Sequence, residues 1–161
     1  MGRTGVIAPV RVYGPNDLAA YDGPLLLDTS VWLRYVHGSG DRLCPGTVDL
    51  LNRIAQTNQL LVCDISCWEV ATKAAKGKLP LAVDVGIWLE QAEALAGFRF
   101  RPLTRQVLLQ STRLPGDLRG DPADRMLMAL ALIDRVPLVT TDRLIIEYAK
   151  QHPGLHVVDV R

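Results

Sequence analysis

The hydrophobic pattern of the chain alternates between short apolar runs and longer segments with helical spacing. Four runs are the length of buried strands, and a fifth, FRFRPL, alternates as an edge strand does and contains Pro102. The five runs are LLLD at 25–28, LLVC at 60–63, FRFRPL at 98–103, PLVTTD at 137–142 and LHVVDV at 155–160. These runs predict five strands.

Helical spacing is found between these strands. One helix is predicted from Ser66, with Glu69 three residues later as in a capping box, to about Lys76, with Gly77 as its stop. The other predicted helices are a short one through Trp32 and Tyr35 and those at 45–56, 83–95, 104–113, 121–135 and 143–151. Strands alternating with helices predict an α/β fold, a mostly parallel sheet with helices on both faces. Ligands bind such sheets at the carboxyl ends of the strands.

The first 23 residues differ from the rest. They contain Pro9, Gly14, Pro15 and Gly23, and we expect an irregular N-terminal extension at 1–23 followed by a single domain at 24–161. The start of the chain lacks the long apolar segment of a signal peptide, and no apolar run approaches the roughly 18 residues of a membrane span. These features lead us to expect a cytoplasmic protein without a membrane segment.

Composition narrows the possible functions. With 48% hydrophobic and 22% charged residues the chain is not a disordered polymer, and a net charge of +1 argues against a partner held by bulk electrostatics. Three cysteines, Cys44, Cys63 and Cys67, form a poor disulfide framework, which fits a reducing compartment. The three histidines lie far from them, so the sequence has no zinc-site spacing.

Four acidic residues occupy corresponding places in the predicted topology. Asp28 and Asp142 end strands, Glu69 lies in the first turn of a helix that follows a strand, and Asp124 lies in the first turn of the helix before the Asp142 strand. In a parallel sheet all four positions fall at one edge, where the carboxylates would repel each other without a cation. Oxygen ligands without His or Cys favour Mg²⁺ or Mn²⁺, and such a site suits phosphoryl chemistry.

Each acid also has a purely structural explanation. Asp121 before Pro122 is a natural N-cap, which places Asp124 at the third helical position, where a carboxylate favours the helix dipole. Glu69 and Lys73 have the spacing of a surface ion pair. Asp28 and Asp142 could cap the helices that follow them. The sequence alone leaves the structural explanation open for each residue. To account for all four acids, however, all of these explanations would have to be correct at once.

The segments LLLDTSVW, ISCWEVATKAAKGKL, DPADRMLMALAL and LVTTD, in this order, resemble the PIN-domain nucleases and are closest to the VapC-type toxins of bacterial toxin–antitoxin pairs. The resemblance covers residues 24–161. It implies a three-layer α/β/α sandwich around a central, mostly parallel sheet and an endoribonuclease that depends on Mg²⁺ or Mn²⁺. By motif, Asp28, Glu69, Asp124 and Asp142 match the family's catalytic, metal-binding acids.

The resemblance also implies supporting residues and partners. The supporting candidates are Asp121, Thr29, Ser30, Ser66, Thr140 and Arg125. The implied partners are an RNA substrate, a small cognate antitoxin and a second copy of the chain in a homodimer. Positive charge for RNA would come from either of two groups, or these residues form only a solvated face. The groups are Lys73, Lys76 and Lys78, and Arg113, Arg119 and Arg125.

Two other functions remain open at this level. A phosphatase with Asp28 as nucleophile would want a second Asp two residues later, where Ser30 stands. A non-catalytic module would bind RNA or a protein without cleavage. Four aromatic residues suit either an interface or, as is more common at such spacing, the core. These are Trp32, Tyr35, Trp68 and Trp88.

Overall fold

The computed structural model describes residues 12–38, 42–116 and 120–161, and these ranges form six strands, seven α-helices and a short 3-10 helix. The strands are β1 (Val12–Tyr13), β2 (Leu25–Leu27), β3 (Leu60–Cys63), β4 (Phe98–Arg101), β5 (Leu138–Thr140) and β6 (Val157–Asp159). The helices are α1 (Thr29–His37), α2 (Pro45–Ala55), α3 (Asp64–Ala75), α4 (Val85–Ala94), α5 (Arg105–Thr112), α6 (Pro122–Asp134) and α7 (Arg143–Gln151). The 3-10 helix is Pro15–Leu18.

The strands form one parallel sheet in the order β1-β6-β5-β2-β3-β4. Strand β2 lies near the centre, between β3 and β5, and all three of its leucines are fully buried. A strand that is covered on both faces is apolar throughout rather than alternating, which is the pattern of LLL. Strand β4 lies at one edge, as its alternating sequence predicts.

Helices cover both faces of the sheet, so the predicted three-layer α/β/α sandwich is confirmed. One hydrophobic cluster joins α1, α2 and α4 to alternate strand residues such as Leu25 and Leu27. The other joins α5, α6 and α7 to the opposite face through residues such as Leu26 and Leu138. Successive strand residues point to opposite faces, which is why neighbouring leucines of β2 belong to different clusters.

The segment before residue 24 is more ordered than the sequence suggests. Residues 12–13 form strand β1, which pairs in parallel with β6, and Tyr13 and Leu18 are buried in the core. The guanidinium of Arg53 in α2 donates hydrogen bonds to the carbonyls of Leu18, at 2.7 Å, and Tyr21. The prediction of an irregular segment is therefore wrong for residues 12–18. Residues 1–11 lie outside the described ranges, and the division at residue 23 stays a prediction.

The start of α3 also differs from its prediction. The helix begins at Asp64 with Cys63 as its N-cap, so Ser66 lies inside the helix and the predicted capping box is wrong. The Ser66 side chain is fully buried and contacts the Thr29 hydroxyl instead. The predicted end is confirmed, since Gly77 has a φ of +67°, a conformation that stops a helix.

The aromatic residues divide between core and surface. Trp32 and Trp88 are buried and pack edge to face, with ring centroids 5.5 Å apart, and Tyr35 packs against the same cluster. Trp68 differs, because 60% of its surface is exposed. The usual core role therefore holds for Trp32 and Trp88, while Tyr35 is half-buried against their cluster.

Cys44, Cys63 and Cys67 are all unpaired. Among the helices that the structure describes, none has the length and apolar character needed to cross a membrane. A cytoplasmic location stays a prediction.

If residues 12–18 pack on the domain, then Leu18→Ala lowers the free energy of unfolding by about 2–5 kcal/mol, because it removes a buried side chain and leaves a cavity. The control is Leu109→Ala, at a leucine of α5 that is 49% exposed, where a change within about 0.5 kcal/mol is expected. Urea unfolding curves measure both. Equal stability of the two variants would mean that the N-terminal segment does not pack on the domain in solution.

Candidate active site

Asp28 is buried at the carboxyl end of β2, and two donors hold its side chain. Its Oδ1 accepts a hydrogen bond from the Ser30 backbone N–H at 3.3 Å, which caps α1, and its Oδ2 accepts one from the Thr140 hydroxyl at 2.5 Å. Burial is the main cause that raises the pKa of this carboxyl, and Asp142 raises it further. The two hydrogen bonds and the charge of Lys73 oppose this rise. The predicted cap is therefore present, but it engages only one of the two oxygens.

Glu69 is held through a chain of hydroxyl groups between α1 and α3. The Oγ1 atom of Thr29 lies 2.6 Å from Glu69 Oε1 and 2.7 Å from Ser66 Oγ. A hydroxyl has one proton and an ionised carboxylate can only accept, so with Glu69 charged Thr29 donates to Glu69 and accepts from Ser66. Burial raises the pKa of Glu69, the Thr29 hydrogen bond lowers it, and Asp28 raises it.

Asp142 and Asp121 both cap helices, as the structural explanation predicts. Asp142 Oδ1 accepts hydrogen bonds from the N–H groups of Leu144, at 2.7 Å, and Ile145, at 3.3 Å, which caps α7. Asp121 accepts from the N–H of Ala123 at 2.9 Å and caps α6. Asp142 stands at the carboxyl end of β5, beside the β2 end that carries Asp28, whereas Asp121 is exposed.

Asp124 is the acid whose pKa is raised by the charges of the other acids. Burial in the first turn of α6 raises its pKa, and Asp28, Asp142, Glu69 and Asp121 raise it further, to about 7. Within the described residues no hydrogen-bond donor contacts its carboxylate. The structure therefore places the four predicted acids near enough for the other three to raise the pKa of Asp124.

The four acids fit a hard divalent cation in charge and in donor type. All their donor atoms are carboxylate oxygens, which Mg²⁺ and Mn²⁺ prefer, and positive charge would relieve the repulsion that raises the pKa of Asp124. In the parts of the chain that the structure describes, no three acidic, histidine or cysteine side chains already stand close enough to share one ion.

Lys73 is the predicted basic residue that acts on the acids. Its charge lowers the pKa of both Asp28 and Glu69, and the predicted surface ion pair with Glu69 is not formed in the described structure. Lys76 and Lys78 are exposed further along the chain.

The predicted arginines have different positions. Arg125 Nε donates a hydrogen bond to the Ser111 carbonyl at 3.1 Å, so this side chain ties α6 to α5. Arg113 is exposed, and Arg119 lies outside the described residues.

Sequence reasoning did not predict the partners of the buried hydroxyl groups. Thr29, Ser66 and Thr140 were candidates by resemblance, but the bonds from Thr29 to Glu69 and from Thr140 to Asp28 join residues 40 and 112 positions apart. No local pattern encodes such pairs. The one available signal was a polar residue inside an otherwise apolar strand, as in LVT.

Comparison with known proteins finds a matching family model and a relative with a similar sequence. The family model of the PIN domain matches residues 25–151, which include all four acids. Ribonuclease VapC22 from Mycobacterium tuberculosis is 35% identical over 101 residues, which cover 62% of this chain and 75% of the relative.

Solved structures with lower sequence identity share the fold. DNA-bound VapBC from Salmonella typhimurium has a TM-score of 0.60 at 16% identity, over 86% of this chain and 99% of that chain. VapBC-5 from Mycobacterium tuberculosis, a member of the VapBC family of toxin–antitoxin systems, has a TM-score of 0.56 at 16% identity, with the same coverage of 86% and 99%. At these identities the likeness concerns the fold alone.

The raised pKa of Asp124 predicts a specific dependence of stability on pH in a chelating buffer. The folded state holds this proton more tightly than the unfolded state, whose pKa is near 3.8, so the contribution of Asp124 to stability falls as the pH rises from about 4 to about 7. Asp124→Asn removes this loss. We expect the variant to gain about 1–2 kcal/mol over wild type at pH 8, after discount for solvent screening, or roughly 3–6 °C in Tm.

Thermal unfolding at pH 5 and pH 8 measures this difference. The control is Asp49→Asn, the same substitution at an exposed position of α2. A constant difference for Asp124→Asn would show that neither burial nor the other acids raise the pKa of Asp124 in the folded protein.

Proposed function

The chain belongs to the PIN domain family, and from this premise we propose that it is a metal-dependent endoribonuclease that serves as the toxin of a bacterial toxin–antitoxin pair. The named relative is a ribonuclease, which supports RNA as the substrate. The observation that carries the proposal is the convergence of Asp28, Glu69 and Asp142 on Asp124 at the carboxyl edge of the sheet. Packing alone does not explain this set of acids, because the negative charges of the others raise the pKa of Asp124.

In this proposal three of the acids bind the metal ion and the fourth has one of two roles. Asp28, Asp124 and Asp142 would hold Mg²⁺ or Mn²⁺, and Glu69 would either join them or orient the attacking water. A bound ion supplies a water of lowered pKa and offsets the charge that builds on the phosphate during hydrolysis. The Thr29 hydroxyl holds Oε1 of Glu69, which leaves Oε2 for a water or an ion.

Positive charge near the acids is needed to admit a phosphodiester. Lys73 meets this need, because its charge reaches Asp28 and Glu69 without forming an ion pair in the described structure. Lys76 and Lys78 continue the positive charge beyond it. A backbone that must reach the edge of the sheet favours single strands or loops over duplex RNA.

The partners follow from the family. Several solved structures with this fold are toxin–antitoxin systems, which supports a small cognate antitoxin that covers the acids. A homodimer stays a prediction.

The test is cleavage of mixed structured RNAs by the purified full chain with Mg²⁺ or Mn²⁺ and with chelator. We expect metal-dependent cleavage, and a loss of at least about 100-fold, or ~2.7 kcal/mol, in Asp28→Asn and Asp124→Asn. The matched control is Asp121→Asn, which keeps a capping side chain at the start of α6 and should lose less than about 10-fold.

Two results would count against this assignment. Equal losses in Asp121→Asn and Asp124→Asn would show that the two acids are not distinguished as proposed. RNA binding without cleavage by the wild type would favour the non-catalytic module. Purification of all the variants in parallel controls for contaminating nucleases.

A further inference from the structure

We propose that the indole ring of Trp68 stacks on an unpaired base of the RNA, next to the phosphate that lies at the four acids. This inference rests on the proposed function and deepens it, since it makes the site selective for unpaired bases. Trp68 lies in α3 directly before Glu69, and 60% of its surface is exposed. It belongs to neither hydrophobic cluster of the described residues, so the ring is available to a ligand.

The position of Trp68 on α3 places it at the border of the acidic site. Glu69 accepts a hydrogen bond from Thr29 in α1, and Lys73, one turn later on the same side of α3, acts on both Glu69 and Asp28. Successive helix residues are about 100° apart around the axis, so Trp68 points to the adjacent side of the helix. A strand with one phosphate at the acids therefore has a neighbouring base near the ring.

The charges on α3 favour a base and not a phosphate at Trp68. One turn before the ring stands Asp64, an exposed acid, and one turn after it stands the neutral Thr72. Lys73 supplies the positive charge on the side that carries Glu69. A cation for the backbone beside an aromatic ring for a base is the combination with which proteins bind single strands. Bases within a duplex stay stacked on each other, so the ring selects unpaired ones.

The alternative is that Trp68 contacts another protein. A protein interface needs a contiguous apolar patch, whereas a base needs one ring face. Among the residues of α3, all of which the structure describes, Trp68 is the one large apolar side chain that is exposed. Its neighbours on the helix surface are Asp64, Ala71 and Thr72, which offer an acid, a methyl group and a hydroxyl. The surface of α3 therefore favours a base as the occupant.

The experiment compares two single strands that have equal charge. One is an oligoribonucleotide of random sequence, about ten nucleotides long, and the other is an abasic strand of the same length. Fluorescence anisotropy of the labelled strands gives the affinity of the full chain, with Asp28→Asn in every sample to keep the RNA intact. Trp68→Leu keeps an apolar side chain without a ring, and Trp68→Phe keeps a ring. Ile87→Ala, at a residue of α4 that is 48% exposed, is the control for the loss of exposed apolar surface.

We expect Trp68→Leu to bind the strand with bases about 5–150-fold more weakly, which is the loss typical of one stacked base. Trp68→Phe and Ile87→Ala should stay within about 3-fold of the parent chain. All of the variants should bind the abasic strand alike. A base carries no charge, so the loss in Trp68→Leu should persist as the salt concentration rises, while every affinity falls.

The outcomes separate this inference from the proposed function. Parent affinity of Trp68→Leu for the strand with bases, or an equal loss on the abasic strand, would overturn the stacking role. A lower sedimentation coefficient of Trp68→Leu with unchanged RNA affinity would assign Trp68 to a contact between copies of the chain, and would also overturn it. None of these results affects RNA cleavage by the wild type, which is measured separately. A wild-type chain that neither cleaves nor binds any RNA would overturn the proposed function and the stacking role together.

Discussion

The parallel pairing of β2 with β3 and β5 is the constraint on which the site depends. Parallel strands end at the same edge, so the residues that follow β2 and β5 are brought side by side wherever they lie in the sequence. The two hydrophobic layers keep this register, because a shift by one residue would turn the leucines of β2 to the wrong faces. The packing of apolar residues thus determines where the acidic residues meet.

The same carboxylates serve the fold and the chemistry. Asp28 and Asp142 each cap a helix with one oxygen, and the start of that helix in turn fixes where the acid stands. Asp124 caps no helix in the described structure. Burial and the charges of the other acids raise its pKa to about 7. Capping and metal binding are therefore compatible explanations, and evidence for the first does not count against the second.

The sequence is informative wherever a signal is local. The apolar runs predict β2, β3 and β5, and hence the edge at which the acids gather. The S-x-x-E spacing of Ser66 and Glu69 suggests a capping box. Both side chains instead contact Thr29 in another helix, so the spacing reflects a tertiary contact and not a helix cap. Strand β1 has two residues, too few for any periodicity, and its partner lies near the other end of the chain. These features depend on long-range contacts that no window of sequence contains.

The pairing of distant strands has a consequence for how the protein is made. Strand β2 pairs with β5, and β1 with β6, so these two pairings form only after the later strand of each pair has been synthesised. Asp28 therefore meets Asp142 only after β5 has been made. Contacts so distant in sequence also form slowly, because a long loop must close first. In a nascent chain Asp28 and Asp142 thus stay apart until the segment that contains β5 has been translated.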